Sequence, residues 1–128
     1  MRWSTLSLLA LLLFTLFSSC RTQIQGPPQD VAVFVDYDAN SGKIVGVIPE
    51  NAVVDFDSQS VRWYTNAAGL EIVFDNPRVP APRCPAGTGR CDPQKFPRGI
   101  KGKHKYTAYA SDANGRRVEK DPYVIIHY

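Results

Sequence analysis

The chain is poor in the residues that metal sites and active sites most often use. It has two histidines, His104 and His127, and its one methionine is Met1. Neither histidine stands at metal-ligand spacing from a cysteine, whereas a closed zinc site normally takes four ligands. We therefore expect no metal and no cofactor, and we interpret both histidines as ordinary strand residues.

Sequence motifs of enzymes are also missing. No serine lies in the Gly-x-Ser-x-Gly pattern of a nucleophile elbow. Gly87-Thr88-Gly89 lacks the preceding strand and following helix of a phosphate-binding loop. Residues 36–42 begin like a calcium loop, but Ser41 and Val47 replace the required glycine and glutamate, so a hairpin turn explains them better. We expect no catalytic residues, and we predict that the protein is not an enzyme.

Sustained helical periodicity is absent from residues 20–128, and short alternating apolar runs take its place. The predicted strands are residues 31–37, 44–48, 52–56, a hairpin of 61–63 with 70–74, then 104–111, 116–119 and 123–127. The hairpin would place Trp63 in the core. About seven or eight short strands favour an all-β domain over residues 31–128, built as a single antiparallel Greek-key β-sandwich.

One long apolar run is present, near the N-terminus. Arg2 supplies a positive charge, residues 6–17 are almost all apolar, and Ser18-Ser19-Cys20 follows with small residues. This order is typical of a secretory signal peptide. The run is shorter than the roughly 20 residues that span a bilayer, so we expect residues 1–19 to be a cleaved export signal.

The end of this segment, Leu16-Phe17-Ser18-Ser19-Cys20, resembles the lipobox of bacterial lipoproteins. Phe17 stands where that family usually has leucine. The resemblance implies cleavage before Cys20, acylation of its thiol and amino group by fatty acids such as palmitate, and a lipid anchor in the membrane. An ordinary signal peptide with Cys20 near the cut by chance is the alternative.

The residues that follow the cysteine are polar. Residues 20–30 contain Gly26-Pro27-Pro28 and have little to bury, which indicates a lipid-anchored tether. Arg21 is not the aspartate associated with inner-membrane retention in some lipoproteins. The resemblance therefore favours the periplasmic side of the bacterial outer membrane.

The number of cysteines is odd, which in an exported protein needs an explanation. If Cys20 carries lipid, as the lipobox resemblance implies, Cys84 and Cys91 remain as a disulfide pair; two free thiols are the alternative. A bridge between residues so close in sequence contributes about 2–3 kcal/mol in the chain-entropy model. Its main effect would be to shape a loop.

Acidic and basic residues are segregated along the chain, whose formal net charge is +3. In residues 30–75, Lys43 and Arg62 are the only bases among the acids Asp30, Asp36, Asp38, Glu50, Asp55, Asp57, Glu71 and Asp75. In residues 76–105, Asp92 is the only acid among the bases Arg78, Arg83, Arg90, Lys95, Arg98, Lys101, Lys103 and Lys105. An acidic and a basic region are predicted.

The strand pattern stops over residues 75–99, which contain six prolines and the cysteine pair. A loop of this length in a compact domain is usually functional or disordered, and the bridge and the prolines favour order. We hypothesise a binding surface made of Arg78, Arg83, Arg90, Lys95, Phe96, Arg98 and Lys101. Its partner would be an anionic envelope glycan, lipid or protein, and we expect no nucleic acid. A solvated basic loop without a partner is the alternative.

Two parts of the chain resemble the cupredoxins and small exported cupredoxin-like proteins. The resemblance extends over residues 44–127 and rests on Pro49, Val53, Val61-Arg62-Trp63, Asn66, Phe74 and a closing hairpin over residues 105–126. Blue-copper members need two histidines, a free cysteine and usually a methionine. Here Leu70 and Glu71 occupy the region of the first histidine, so the resemblance implies the fold without the copper chemistry.

These features together favour a membrane-anchored cell-envelope lipoprotein that acts as a binding or accessory module through a disulfide-braced basic loop. Two alternatives remain open. One is an envelope inhibitor that blocks an enzyme cleft with the stapled loop, and the other is a metal-binding cupredoxin-like protein.

Overall fold

The computed structural model describes residues 30–128. The predicted signal peptide, the acylation at Cys20 and the tether up to residue 29 therefore lie outside the described residues. Residues 30–128 form the strands β1 (Val31–Asp38), β2 (Lys43–Ile48), β3 (Asn51–Asp55), β4 (Val61–Thr65), β5 (Gly69–Phe74), β6 (Gly102–Ser111), β7 (Arg117–Lys120) and β8 (Tyr123–His127). Within this range there is no helix that could cross a membrane.

The strands form two sheets around one hydrophobic core. The small sheet has the order β2-β1-β4, and the large sheet has the order β3-β8-β6-β5, with β7 also paired to β6. The predicted all-β, sandwich-like fold is thus confirmed. The sheets are mixed, however, because β1 pairs in parallel with β4, and β3 pairs in parallel with β8. The prediction of a purely antiparallel sandwich is wrong for these two pairs: β3 leaves for the large sheet, and β4 returns on the far side of β1.

The first turn is a hairpin turn, as predicted for residues 36–42. It joins β1 to β2, which pair antiparallel. Asp38 organises it: its carboxylate accepts the Asn40 N–H at 3.0 Å, and its carbonyl accepts the N–H of Gly42, a residue with φ of +66°. Hydrogen bonds from the Ser41 side chain and the Asn40 backbone lower the pKa of Asp38. The alternating oxygens thus cap a turn.

The predicted hairpin between residues 61–63 and 70–74 is wrong. β4 pairs with β1 in the small sheet, and β5 pairs with β6 in the large sheet. Trp63 is nevertheless fully buried, as predicted. It meets Phe74 edge to face across the core, with ring centroids 5.9 Å apart. Alternation of apolar residues is the same for two strands side by side and for two strands facing each other, so it did not distinguish the two arrangements.

β7 and β8 follow one another along the same side of β6 in one continuous register. Pro122, which has no N–H to donate, stands between them, and its carbonyl accepts the Tyr106 N–H at 3.0 Å. The carboxylate of Asp121 stabilises the chain at this break. It accepts a hydrogen bond of 2.9 Å from the Thr107 hydroxyl and lies 3.4 Å from Lys105 Nζ. Attraction to this carboxylate raises the pKa of Lys105. Pro122 thus interrupts what is otherwise one continuous strand along β6.

Two polar atoms of the core lack hydrogen-bond partners within residues 30–128: the indole nitrogen of Trp63 and the hydroxyl of Tyr106. Their rings pack edge to face with centroids 5.5 Å apart. Burial raises the pKa of Tyr106 to about 12. The nearby Trp63 indole offsets a small part of this rise, although no hydrogen bond of good geometry joins the two groups.

We predict that Tyr106→Phe leaves the free energy of unfolding at pH 8 unchanged or raises it by about 1 kcal/mol, because a buried hydroxyl without a partner is removed. Because burial raises the pKa of Tyr106, ionisation of this side chain destabilises the folded state. Stability is therefore complete below the ordinary tyrosine pKa of about 10 and is lost as the pH rises toward 12. Urea unfolding should show that the free energy of unfolding falls less between pH 8 and pH 11 in Tyr106→Phe than in the wild type. Tyr64→Phe is the matched control. If Tyr106→Phe lowers the free energy of unfolding at pH 8 by more than about 2 kcal/mol, the Tyr106 hydroxyl is hydrogen-bonded in the folded protein.

Candidate functional site

The basic loop, residues 75–101, runs along the side of β4 that β1 does not occupy. Val61 and Gln94 exchange two backbone hydrogen bonds of 2.9 and 2.7 Å, and the Cys91 N–H donates to the Trp63 carbonyl at 2.9 Å. The loop therefore takes the place of a neighbouring strand over residues 89–94. Its backbone is held by the sandwich.

The predicted Cys84–Cys91 disulfide is present. Cys91 is almost fully buried beside β4, while residues 86–88 between the two cysteines are exposed. A hydrogen bond of 2.7 Å from the Asp92 N–H to the Arg83 carbonyl lies next to the bridge. The disulfide and this hydrogen bond together tie the exposed residues 86–88, the tip of the basic loop, to the buried Cys91.

Phe96 lies in the core and not on the predicted binding surface. Its side chain is 7% exposed, and its ring meets Phe74 edge to face with centroids 5.7 Å apart. Val79 and Ile100 of the same loop are also buried in the core. The apolar side chains of the basic loop complete the hydrophobic core, which removes Phe96 from the surface that could meet a partner.

The six basic residues of the predicted surface are exposed: Arg78, Arg83, Arg90, Lys95, Arg98 and Lys101. The ion pairs found within residues 30–128 join Lys105 to Asp121 and Arg117 to Glu71. None of the six cations thus has a carboxylate partner in the described part of the chain. The basic loop therefore presents six positive charges that no carboxylate of residues 30–128 neutralises.

Two of these cations line a cleft where the basic loop meets β8, and a third approaches Gly99 in the same lining. Arg98 and Lys101 line one cleft. The guanidinium of Arg78 approaches Gly99 between them, with Nη2 3.6 Å from the position that a Cβ of Gly99 would take. Residues distant in the sequence therefore supply a cationic rim around Gly99.

Arg83 and Arg90 belong to a different part of the loop, beside the disulfide. Arg90 forms an isolated bridge with Tyr64 of β4. Tyr64 continues in register to Phe34 and Ile48 across the small sheet. The predicted surface thus divides between the cleft and the small sheet.

The cleft is open and has a volume of about 760 Å³. We call it the β8 cleft; it is lined by Arg98, Gly99, Lys101, Gly102, Ile126, His127 and Tyr128. Its size falls within the range of about 300–1,000 Å³ that is typical of small-molecule sites. Arg98 and Lys101 were predicted from the sequence, and the residues of β8 were not.

Tyr128 forms a fixed wall of the cleft. Its hydroxyl accepts the Gly99 N–H at 2.9 Å and donates to the Ile100 carbonyl at 3.1 Å. Its ring stacks on Phe56 with centroids 4.7 Å apart, and yet 59% of the residue is exposed. The aromatic ring is therefore held in position and remains accessible to a ligand.

The two histidines lie in strands, as predicted, but in different surroundings. His127 lines the β8 cleft and stands opposite Asp55 in the pairing of β8 with β3. His104 Nε2 lies 2.8 Å from the Lys101 carbonyl oxygen and so holds the end of the basic loop. Among residues 30–128 there is no cluster of three histidine, cysteine or acidic residues that could hold a metal ion.

Sequence reasoning missed Tyr128 and His127 because they are separated from the basic loop by two strands and a turn. A signal existed in the register: β6 begins directly after the loop, and its first residue, Gly102, pairs with Ile126. Any prediction that paired the last strand with the start of β6 would have brought the end of β8 to Arg98.

We predict that Phe96→Ala lowers the free energy of unfolding by about 3–5 kcal/mol, because it leaves a cavity beside Phe74. Phe96→Leu should cost less, since it retains most of the apolar volume. Chemical denaturation followed by fluorescence measures both, with Lys95→Ala as a control on the exposed neighbour. A change below about 1 kcal/mol in Phe96→Ala would show that the ring is not a core residue.

We predict that Tyr128→Phe loosens the end of the basic loop, because it removes the hydrogen bonds to Gly99 and Ile100 and keeps the ring. Amide hydrogen exchange of residues 98–101 should become faster by about 3–10-fold, as expected for the loss of roughly 0.5–1.5 kcal/mol. Exchange in β1 and β4 should stay unchanged. Equal exchange of residues 98–101 in both proteins would show that the Tyr128 hydroxyl does not hold the end of the basic loop.

Comparison with known proteins gives no relative for this chain: no protein-family model matches it, and no curated protein or solved structure does so. The resemblances to bacterial lipoproteins and to cupredoxins therefore rest on the sequence features described above.

Proposed function

We propose that the protein is a membrane-anchored lipoprotein of the bacterial cell envelope, and that its domain binds an anionic partner through the basic loop. The observation that carries this proposal is the state of the six exposed cations. The basic loop is held by backbone hydrogen bonds to β4 over residues 89–94 and by the disulfide, and none of the six cations has a carboxylate partner within residues 30–128. Such exposed cations attract an anionic surface.

The magnitudes favour a partner that presents several negative groups. Two unit charges 4 Å apart attract by only about 1 kcal/mol in water and by about 4 kcal/mol near a protein surface. Screening reduces this attraction over a distance of about 10 Å at 0.1 M salt. Specific binding therefore needs several contacts at once, as a glycan, a lipid surface or an acidic protein face would offer.

The anchoring part of the proposal rests on residues 1–30. A cleaved signal, acylation at Cys20 and a polar tether would hold the domain close to the membrane, with the periplasmic side of the outer membrane favoured. A disulfide in the basic loop suits an exported protein, because disulfides persist outside the cytosol. A copper-free, cupredoxin-like Greek-key arrangement of the sandwich belongs to the same proposal.

The braced tip of the loop favours a second candidate, an inhibitor of an envelope enzyme. Residues 86–88 are exposed and are tied by the disulfide to the buried Cys91. A tip fixed before binding loses little conformational entropy when it enters a cleft. Reduction of Cys84–Cys91 should then abolish inhibition while the sandwich stays folded. The metal-binding alternative has no comparable support in the described residues.

We predict that reversing three loop charges, by Arg83→Glu, Arg90→Glu and Arg98→Glu, lowers capture of the envelope partner by at least about tenfold. The matched control reverses three exposed charges outside the loop: Lys43→Glu, Arg116→Glu and Lys120→Glu. The full chain, purified in detergent, is used to capture material from solubilised envelope at about 0.05 and 0.5 M salt.

Capture by the wild type and by the control that fades at high salt, together with loss in the loop variant, would support the proposal. Equal capture by the loop variant and the wild type would place the partner on another surface. Equal loss in the two variants would show that net charge alone is responsible.

A further inference from the structure

Of residues 30–128, those that line the β8 cleft include cations and no acidic side chain. Arg98, Lys101 and His127 line it, and Arg78 approaches Gly99, another residue of the lining. A carboxylate or other anion that enters would therefore meet donors and cations without competition from a lining Asp or Glu. Arginine in particular binds carboxylates through two parallel hydrogen bonds.

Another part of the lining is an aromatic ring that the protein itself holds in place. Tyr128 is held by Gly99, Ile100 and the ring of Phe56. Because its orientation is already set, binding costs little side-chain entropy. A flat ligand with an apolar face can thus stack on Tyr128 without reorganising the site.

Two glycines also line the cleft. Gly99 and Gly102 have φ of +89° and +84°, a conformation that side chains rarely adopt. Apart from its chain neighbours, no atom of residues 30–128 lies within 4 Å of where a Cβ of Gly102 would be. The backbone is therefore open to close approach by a ligand that reaches from the rim to Tyr128.

We infer that the β8 cleft binds an acidic sugar of an envelope glycan, with the carboxylate at Arg98 and Lys101 and the sugar ring against Tyr128. A small inorganic anion would leave the aromatic wall unused. The inference rests on the proposed function and names the ligand class of the same loop.

The test titrates the full chain in detergent by calorimetry with two uronic-acid trimers, trigalacturonate and trimannuronate. The methyl ester of trigalacturonate has the same rings without the charge, and acetate has the carboxylate without the ring. We expect at least one trimer to bind at least tenfold more tightly than the ester and acetate.

Variants separate the two walls of the cleft. Arg98→Gln with Lys101→Gln, and separately Tyr128→Leu, should each weaken binding of the trimer at least tenfold. Tyr128→Phe keeps the ring but loses the hydrogen bonds that hold it, so its affinity should lie between those of the wild type and Tyr128→Leu, and the test does not depend on Tyr128→Leu folding well. Arg116→Gln with Lys120→Gln is the matched control, because both residues are exposed and lie outside the basic loop and the cleft, and the affinity of this variant should be unchanged.

Failure of this inference can be told apart from failure of the proposed function. Acetate or phosphate binding as tightly as the trimers, or no trimer binding while envelope capture still depends on the loop charges, would overturn the acidic-sugar assignment alone. The same holds if vesicles of phosphatidylglycerol and phosphatidylcholine bind the wild type and Tyr128→Leu equally and displace the trimer. Absence of both trimer binding and charge-dependent capture would overturn the two proposals together.

Discussion

The ring of Phe74 joins three parts of the molecule. It stands at the end of β5 and meets Trp63 of the small sheet, Tyr106 of the large sheet and Phe96 of the basic loop, with centroid distances of 5.9, 5.5 and 5.7 Å. Each buried aromatic side chain contributes about 1.5–3 kcal/mol relative to exposure, and edge-to-face pairs add about 0.5–1.5 kcal/mol. The position of the basic loop therefore depends on the same cluster that holds the two sheets together.

This coupling explains how a segment with six prolines can carry fixed charges. The prolines limit its backbone, but its position comes from the hydrogen bonds to β4 and from Val79, Phe96 and Ile100 in the core. The polar residues are left on the outside by the same arrangement. Burial of one set of side chains thus determines which basic residues face a partner.

The sequence predicted the strands well because alternation reports which residues face the core. It did not predict which strands pair, because period-two alternation does not depend on which strand lies alongside. The parallel pairs and the separation of β4 from β5 are therefore known only from the structure. Phe96 was misplaced for a related reason, since flanking charges do not reveal whether a single apolar side chain is buried. The contribution of Tyr128 depended on the pairing of β6 with β8 and on no local motif.

The hydrogen bonds between the basic loop and β4 also bear on solubility. An uncovered strand edge is a template on which another chain can pair, and β4 contains Val61, Trp63 and Thr65 at alternate positions. By occupying this edge, residues 89–94 prevent such pairing between copies. A chain whose basic loop has not yet docked would expose the edge, so the step at greatest risk of aggregation is the interval before the loop closes over β4.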